Sequence, residues 1–243
     1  MIHLRETSRR RLIGGLSGAV FTAGVAGAAF AAKQPKKTEP PPKEEKKAVG
    51  AVEDLMREHG VLRRALLIYR QGAARLRAGT AIDPKPLRQT AQLFRDFGEN
   101  YHERMLEQNH IFPALRKSQN PAGALVATLI AQHDRGREIT DFIRAVTGKG
   151  KIGDAEALAR LFETFELMYE SHAAREDTVV FPAWREELSE RQLREMGETF
   201  EDIEHRQFGK DGFEEAVKQI AAIEEALGFA DLAQFTAPKP PRS

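Results

Sequence analysis

The chain has 243 residues, no cysteine, seven histidines and a formal net charge of +1. A hydrophobic share of 41% with a charged share of 30% belongs to a soluble globular protein and excludes a collagen, a mucin or a polytopic membrane protein. The missing cysteine excludes disulfides, thiolate-held zinc, iron–sulfur clusters and thiol catalysis, so any metal must sit on His, Asp and Glu.

The charge is unevenly spread. Residues 1–48 carry ten Lys/Arg and four Asp/Glu, a net +6, whereas the remaining 195 carry 27 and 32, a net −5. The chain opens on Ser8-Arg9-Arg10-Arg11-Leu12-Ile13 and continues uncharged from Leu12 to Ala32. That run ends in the small-x-small sequence Ala29-Phe30-Ala31. Residues 1–32 thus look like a twin-arginine export signal, which is an address rather than an anchor. Twenty-one uncharged residues are also long enough for an uncleaved membrane anchor, but five glycines make a poor spanning segment. Residues 33–49, rich in Pro, Lys and Glu, read as a solvated linker. Interleaved Glu and absent aromatics argue against nucleic acid as a partner. The expected address is the periplasm, with membrane contact only through an uncleaved N-terminus. A folded-state export route is used by proteins that acquire a cofactor before export, which raises the expectation of a bound metal.

Residues 50–236 carry helix punctuation and no convincing strand, and 237–243 read as a disordered tail. Asp83-Pro84 and Asn120-Pro121 are each an N-cap followed by Pro at the first helical position. Asp154 opens another helix, and Ser189 with Gln192 makes a capping box. Gly79, Gly148, Gly209 and Gly228 read as stops, and Pro113 and Pro182 as segment ends. The spacing predicts four long helices over 51–78, 84–112, 121–147 and 155–181, then two shorter ones over 190–208 and 212–227. The four apolar stripes run Val52, Leu55, His59, Leu62, Leu66, Tyr69; Leu87, Ala91, Phe94, Gly98, His102, Met105; Leu125, Leu129, His133, Gly136, Ile139, Ile143; and Leu158, Leu161, Phe165, Met168, His172, Glu176, Val179. One inward stripe per long helix describes an all-α, up-down four-helix bundle with one or two extra C-terminal helices.

Each long helix places one histidine in its stripe. A single histidine on an apolar face is ordinarily a satisfied core residue; four, one per helix, point to a shared centre. His172 and Glu176 are i, i+4 on one face. A buried carboxylate needs a compensating partner, either a cation held between facing helices or an ion pair with Arg175 or Arg137. His102 and Glu107 are i, i+5, which in a regular α-helix puts about 140° between them. Either a π-bulge brings Glu107 round, or the two are not a pair; Glu103, Glu107 and His110 form a competing, solvated face.

The pattern Asp54-Leu55-Met56-Arg57-Glu58-His59-Gly60, then Tyr101-His102-Glu103 running to Ile111-Phe112-Pro113, then His133, then His172-Ala173-Ala174-Arg175-Glu176 running to Val180-Phe181-Pro182, resembles the hemerythrin-like (HHE cation-binding) domain. The resemblance implies two non-haem irons inside the bundle, with Mn or Zn as lesser alternatives. It implies His59, His102, Glu107, His133, His172 and Glu176 as metal ligands. The family's third helix commonly supplies two histidines a turn apart, but Arg137 occupies the second place here. The resemblance and that shortfall nominate His205 on the fifth helix, although it lies off that helix's apolar stripe.

The partner implied is dioxygen, or another small diatomic ligand or peroxide, with the twin-arginine machinery as partner in export. The expected function is oxygen binding, sensing or iron holding. The alternative is a di-iron enzyme reducing peroxide or nitric oxide, which Arg137 would favour if it faced the centre rather than pairing with Glu138 or Asp141 at the bundle edge. A binding protein needs a dry pocket, for which Leu62, Leu66, Phe94, Leu129, Phe165 and Met168 are the expected lining.

Overall fold

The computed structural model describes residues 49–241, and within them every regular element is helical. The expected export signal, the expected linker up to residue 48 and the last two residues of the expected tail lie outside the described residues.

Helix α1 is Ala51–Arg77. Helix α2 covers 84–118 without a break, beginning as Pro84–Leu93, widening to π geometry over Phe94–Ile111 and closing as Phe112–Ser118. A 3-10 turn, Pro121–Leu125, leads into α3, Val126–Thr147. Helix α4 covers 155–186, with a π segment, Glu176–Val180, between Ala155–Arg175 and Phe181–Glu186. Helices α5, Glu190–Phe208, and α6, Gly212–Leu227, follow.

The caps expected from the sequence are made. Asp83, Asn120 and Asp154 accept backbone N–H bonds at their helix starts, and Ser189 with Gln192 forms the reciprocal box. Gly209 and Gly228 end α5 and α6 in left-handed conformation at φ 68° and 72°, where an L side chain would be strained.

Pro113 and Pro182 do not end their helices, which run on to Ser118 and Glu186. In both, the residue before the proline donates five residues back: Phe112 N–H to the Glu107 carbonyl, and Phe181 N–H to the Glu176 carbonyl. The widened turn leaves room for a ring that has no N–H to offer, so the proline starts a new α segment instead of stopping the old one. The inserted residue also moves the inward stripe by one. Leu106 is buried where Met105 was expected, and Val180 where Val179 was expected.

Helix α1 packs along α4, α2 along α3, and the ring closes through α3 on α4 and α1 on α2. Helix α6 covers α1 and α2, while α5 rests on α1 and the π stretch of α2. One end of the interior is an aromatic stack in which Tyr69 lies 4.7 Å from Phe162, and Phe94 and Tyr169 meet edge-on at 4.8 Å. Tyr69, Phe94, Phe162 and Phe165 are fully buried and fill the bundle there, and the histidines follow directly beyond Tyr169, whose ring centroid is 5.5 Å from that of His172.

Candidate metal centre

His59 of α1, His102 of α2, His133 of α3 and His172 of α4 are all buried and turn their Nε2 atoms into the bundle interior. The nitrogens form two pairs, each 3.0 Å apart: His59 with His102, and His133 with His172. Between the pairs stand Glu107 and Glu176, both fully buried. Glu107 presents Oε1 to His102 Nε2 at 3.2 Å and Oε2 to His133 Nε2 at 3.3 Å. Glu176 Oε2 lies 3.0 Å from His172 Nε2 and 3.5 Å from His59 Nε2. The donor atoms fall into two overlapping groups, His59–His102–Glu107 and Glu107–His133–His172–Glu176, each within 4.8 Å. The π stretch is what makes this possible, because the wider turn places Glu107 on the His102 face at i, i+5.

Neither oxygen of Glu107 nor of Glu176 has a hydrogen-bond partner, although all four are buried. Such atoms need a compensating group. Burial disfavours the imidazolium form of His102, but the Glu107 and Glu58 carboxylates outweigh it and hold its pKa well above the ordinary value. Burial likewise pushes Glu176 up, and His172 and His59 reverse this to leave it well below the carboxylate range. The interior is therefore built around anionic oxygens that want positive charge, on nitrogen and oxygen donors at the spacing of a metal centre.

The Nδ1 atoms are supported in a cycle around the bundle. Glu58 on α1 holds His102 on α2 at 2.5 Å, and Gln108 on α2 holds His133 on α3 at 3.0 Å. Gln132 on α3 accepts from His172 on α4 at 2.9 Å, and Asp177 on α4 accepts from His59 on α1 at 2.7 Å. Each supporter is the sequence neighbour of a residue in the centre: 58 beside 59, 108 beside 107, 132 beside 133, 177 beside 176. An engaged Nδ1 fixes the ring; at His59, His102 and His172 the partner is an acceptor oxygen, which also frees Nε2 to bind, whereas His133 Nδ1 faces the Gln108 amide nitrogen.

The hemerythrin HHE cation binding domain model matches residues 50–184. The chain belongs to this family. Uncharacterized proteins of Mycobacterium tuberculosis and Mycobacterium bovis are each 46% identical to it over 196 residues, covering 79% of this chain and 76% of the relative. No solved structure matches the chain. The HHE domain and the buried His/Glu cluster together give a site able to hold a cation.

Six of the seven ligand positions nominated from the sequence thus come together. The seventh, His205, is exposed on α5 and belongs to neither group. Its off-stripe position already pointed outward, and the ligand shortfall that nominated it has no counterpart in the geometry, where each histidine pair is served by both carboxylates. His110, on the competing face, is part-buried against Phe200, with its pKa lowered by that burial.

Arg137, where this HHE domain lacks a second helix-three histidine, does not pair with Glu138 or Asp141. It reaches inward to Glu103 Oε2 at 3.3 Å and the Glu99 carbonyl at 3.2 Å, with Asp134 outside at 3.1 Å. Glu103, expected on a solvated face, is buried. It also accepts a short hydrogen bond from the Tyr169 hydroxyl. A narrow cavity reaches the centre beside His59, His102, His172 and Glu176, walled by Leu62, Leu66, Ala173, Tyr169 and Glu103. Of the expected lining, Leu62 and Leu66 are there; Phe94 and Phe165 belong to the aromatic stack. Glu58, Asp177, Gln108, Gln132, Glu103 and Tyr169 were not foreseen as site residues. Their one sequence signal is a polar residue next to a ligand, and Tyr169 lacks even that.

Proposed function

We propose that this protein is a non-haem di-iron protein of the bacterial periplasm that binds dioxygen or a related small ligand, for carriage, sensing or iron holding. The observation that carries this reading is the pair of carboxylates, each lying between two histidines, buried and with no partner beyond those histidine nitrogens. His59 and His102 would hold one iron, His133 and His172 the other, with Glu107 and Glu176 shared. Bound there, iron supplies reversible redox chemistry and an open position for a small ligand. The chain's own part is to orient four imidazoles and to keep the approach dry. Leu62, Leu66 and Ala173 exclude water from the cavity, and Arg63 at its rim is tied to Asp177 at 2.5 Å.

The experiment is metal analysis with an optical spectrum on protein made with ample iron. The expected result is about two irons per chain and the visible bands of a coupled di-ferric centre, shifted by azide. Protein that stays metal-free under those conditions overturns the reading.

Reduction of peroxide or nitric oxide is the second reading, and one observation favours it. The hydrogen bond that Tyr169 Oη donates to Glu103 Oε1 lies at the cavity wall, where a small ligand would need a proton. Catalytic turnover that falls in Tyr169→Phe, with iron content unchanged, would select it.

Export by the twin-arginine route rests on Arg9-Arg10-Arg11 ahead of the uncharged run. Replacing all three arginines with lysine should hold the protein in the cytoplasm. No helix among the described residues is long and apolar enough to cross a membrane.

A further inference from the structure

The two histidine pairs have the same ligand types but different support. Behind His59 and His102 stand carboxylates, Asp177 at 2.7 Å and Glu58 at 2.5 Å. Behind His133 and His172 stand neutral amides, Gln108 at 3.0 Å and Gln132 at 2.9 Å. With Nε2 given to a metal, Nδ1 of His59, His102 and His172 carries the ring's proton and donates it to an oxygen, whereas His133 Nδ1 faces the amide nitrogen of Gln108 and has no acceptor there. A carboxylate acceptor draws that proton away and makes the imidazole a stronger, more anionic donor; a neutral amide, through its oxygen at Gln132 or its nitrogen at Gln108, orients the ring without adding charge. The wider field has the same sign. Glu58 is fully buried with one oxygen unpartnered. Apart from the shared Glu107 and Glu176, the carboxylate near the other pair is Glu103, 4.0 Å from His133 Nδ1 and matched by Arg137; Asp177 is likewise matched by Arg63, so Glu58 carries most of the difference.

We propose that the two metal positions are unequal. The His59/His102 position fills first and holds its metal tightly; the His133/His172 position fills second and gives its metal up first. Glu58 and Asp177 are positioning residues that set this order. The inference rests on the two-metal reading above.

The test is an anaerobic titration of the metal-free full chain with Co(II), followed by the cobalt ligand-field bands under chelator competition. Two binding steps at least ~10-fold apart are expected. His133→Ala should keep the tight step and lose the weak one. Asp177→Asn should weaken the tight step by ~10–100-fold and leave the weak one within a few-fold. Gln132→Glu, at a half-buried residue, should tighten the weak step, and it keeps the test decisive if Asp177→Asn does not fold. Two steps of equal affinity, or loss of the tight step in His133→Ala, overturn the proposal while leaving the two-metal reading intact. No cobalt binding to the unsubstituted chain overturns both.

Discussion

His102 and Glu107 are five residues apart on one helix and yet meet, with Nε2 3.2 Å from Oε1. The π stretch Phe94–Ile111 brings them together, and it leaves Glu107 Oε2 free to face His133 Nε2 at 3.3 Å. Glu107 therefore serves both histidine pairs. Glu107→Ala is expected to empty both positions, whereas His133→Ala should leave about one metal per chain, as a two-metal bundle site requires. Elemental analysis of the purified variants checks this; equal metal loss in the two would sink the bridging role.

Removing the metal should destabilise the fold. A ligand that binds only the native state contributes about 2.7 kcal/mol at a hundredfold excess over its Kd. For a helical unit of this size that corresponds to ~5–10 °C in Tm per position. Thermal unfolding before and after chelation should show at least this drop, reversed by adding Fe(II) anaerobically. Part of that binding free energy is relief of Glu107 and Glu176, which without metal are buried with only histidines for counter-charge. An unchanged Tm would mean that the centre contributes nothing to the native state.

Gly136 on α3 faces Tyr169 so closely that a Cβ there would lie 2.6 Å from the hydroxyl oxygen and 3.1 Å from a ring carbon. Alanine would gain up to ~1 kcal/mol of helix propensity. Displacing a buried ring packed on Phe94 and Phe165 costs more, about 1–3 kcal/mol. The clash wins, so Gly136→Ala should be destabilised by ~1–2 kcal/mol in urea unfolding. In the Gly136→Ala/Tyr169→Phe double variant the combined loss should be smaller than the sum, because the closest atom is gone.

Much of this was legible in the sequence for definite reasons. Asp83, Asn120, Asp154 and Ser189 cap helices through local bonds, and local bonds depend on local residues. His59, His102, His133, His172 and Glu176 sit in apolar stripes, so the 3.6-residue period delivered them. Glu107 did not fit that period; the i, i+5 spacing left a π-bulge as one of two readings, and the resemblance then named Glu107 as a ligand. The shift from Met105 to Leu106 and from Val179 to Val180 is the same irregularity seen from the core side. The cycle of Nδ1 supporters was illegible because each partner lies on the next helix, and pattern along one helix says nothing about its neighbour's rotation. Glu103 looked solvated for the same reason: Arg137 and Tyr169, which make its burial tolerable, come from α3 and α4.

Arg137 is expected to matter through Glu103. The guanidinium is largely buried, and its partner carboxylate is 1% exposed. Removing one member of a buried pair leaves the other uncompensated, at a cost of about 3 kcal/mol. The Tyr169 hydroxyl still donates to Glu103 and keeps the loss at the low end of that class. Arg137→Ala should therefore lose about 3 kcal/mol in urea unfolding, and Arg137→Ala/Glu103→Gln should recover most of it. Additive losses in the double variant would show that Arg137 acts by packing alone.

Glu204 of α5 gives a pH dependence that can be tested away from the metal. Burial raises its pKa from 4.5 to about 7; the bond it accepts from Phe213 N–H at 2.6 Å pulls the other way, and Glu58, Asp211 and Asp54 add to the rise. Over the window between those values the native state holds a proton that the unfolded chain has released. By linkage, stability from this group is fully present below pH 4.5 and is lost progressively as the pH rises to about 7, with no further change above. Glu204→Gln keeps an oxygen for the Phe213 N–H and removes the titration. The stability of the unsubstituted protein relative to this variant should therefore fall as pH rises through the window and level off beyond it. Urea midpoints at about pH 5, 6 and 8 would show the convergence or reversal of the two curves, and parallel curves would mean that Glu204 titrates as an ordinary surface carboxylate.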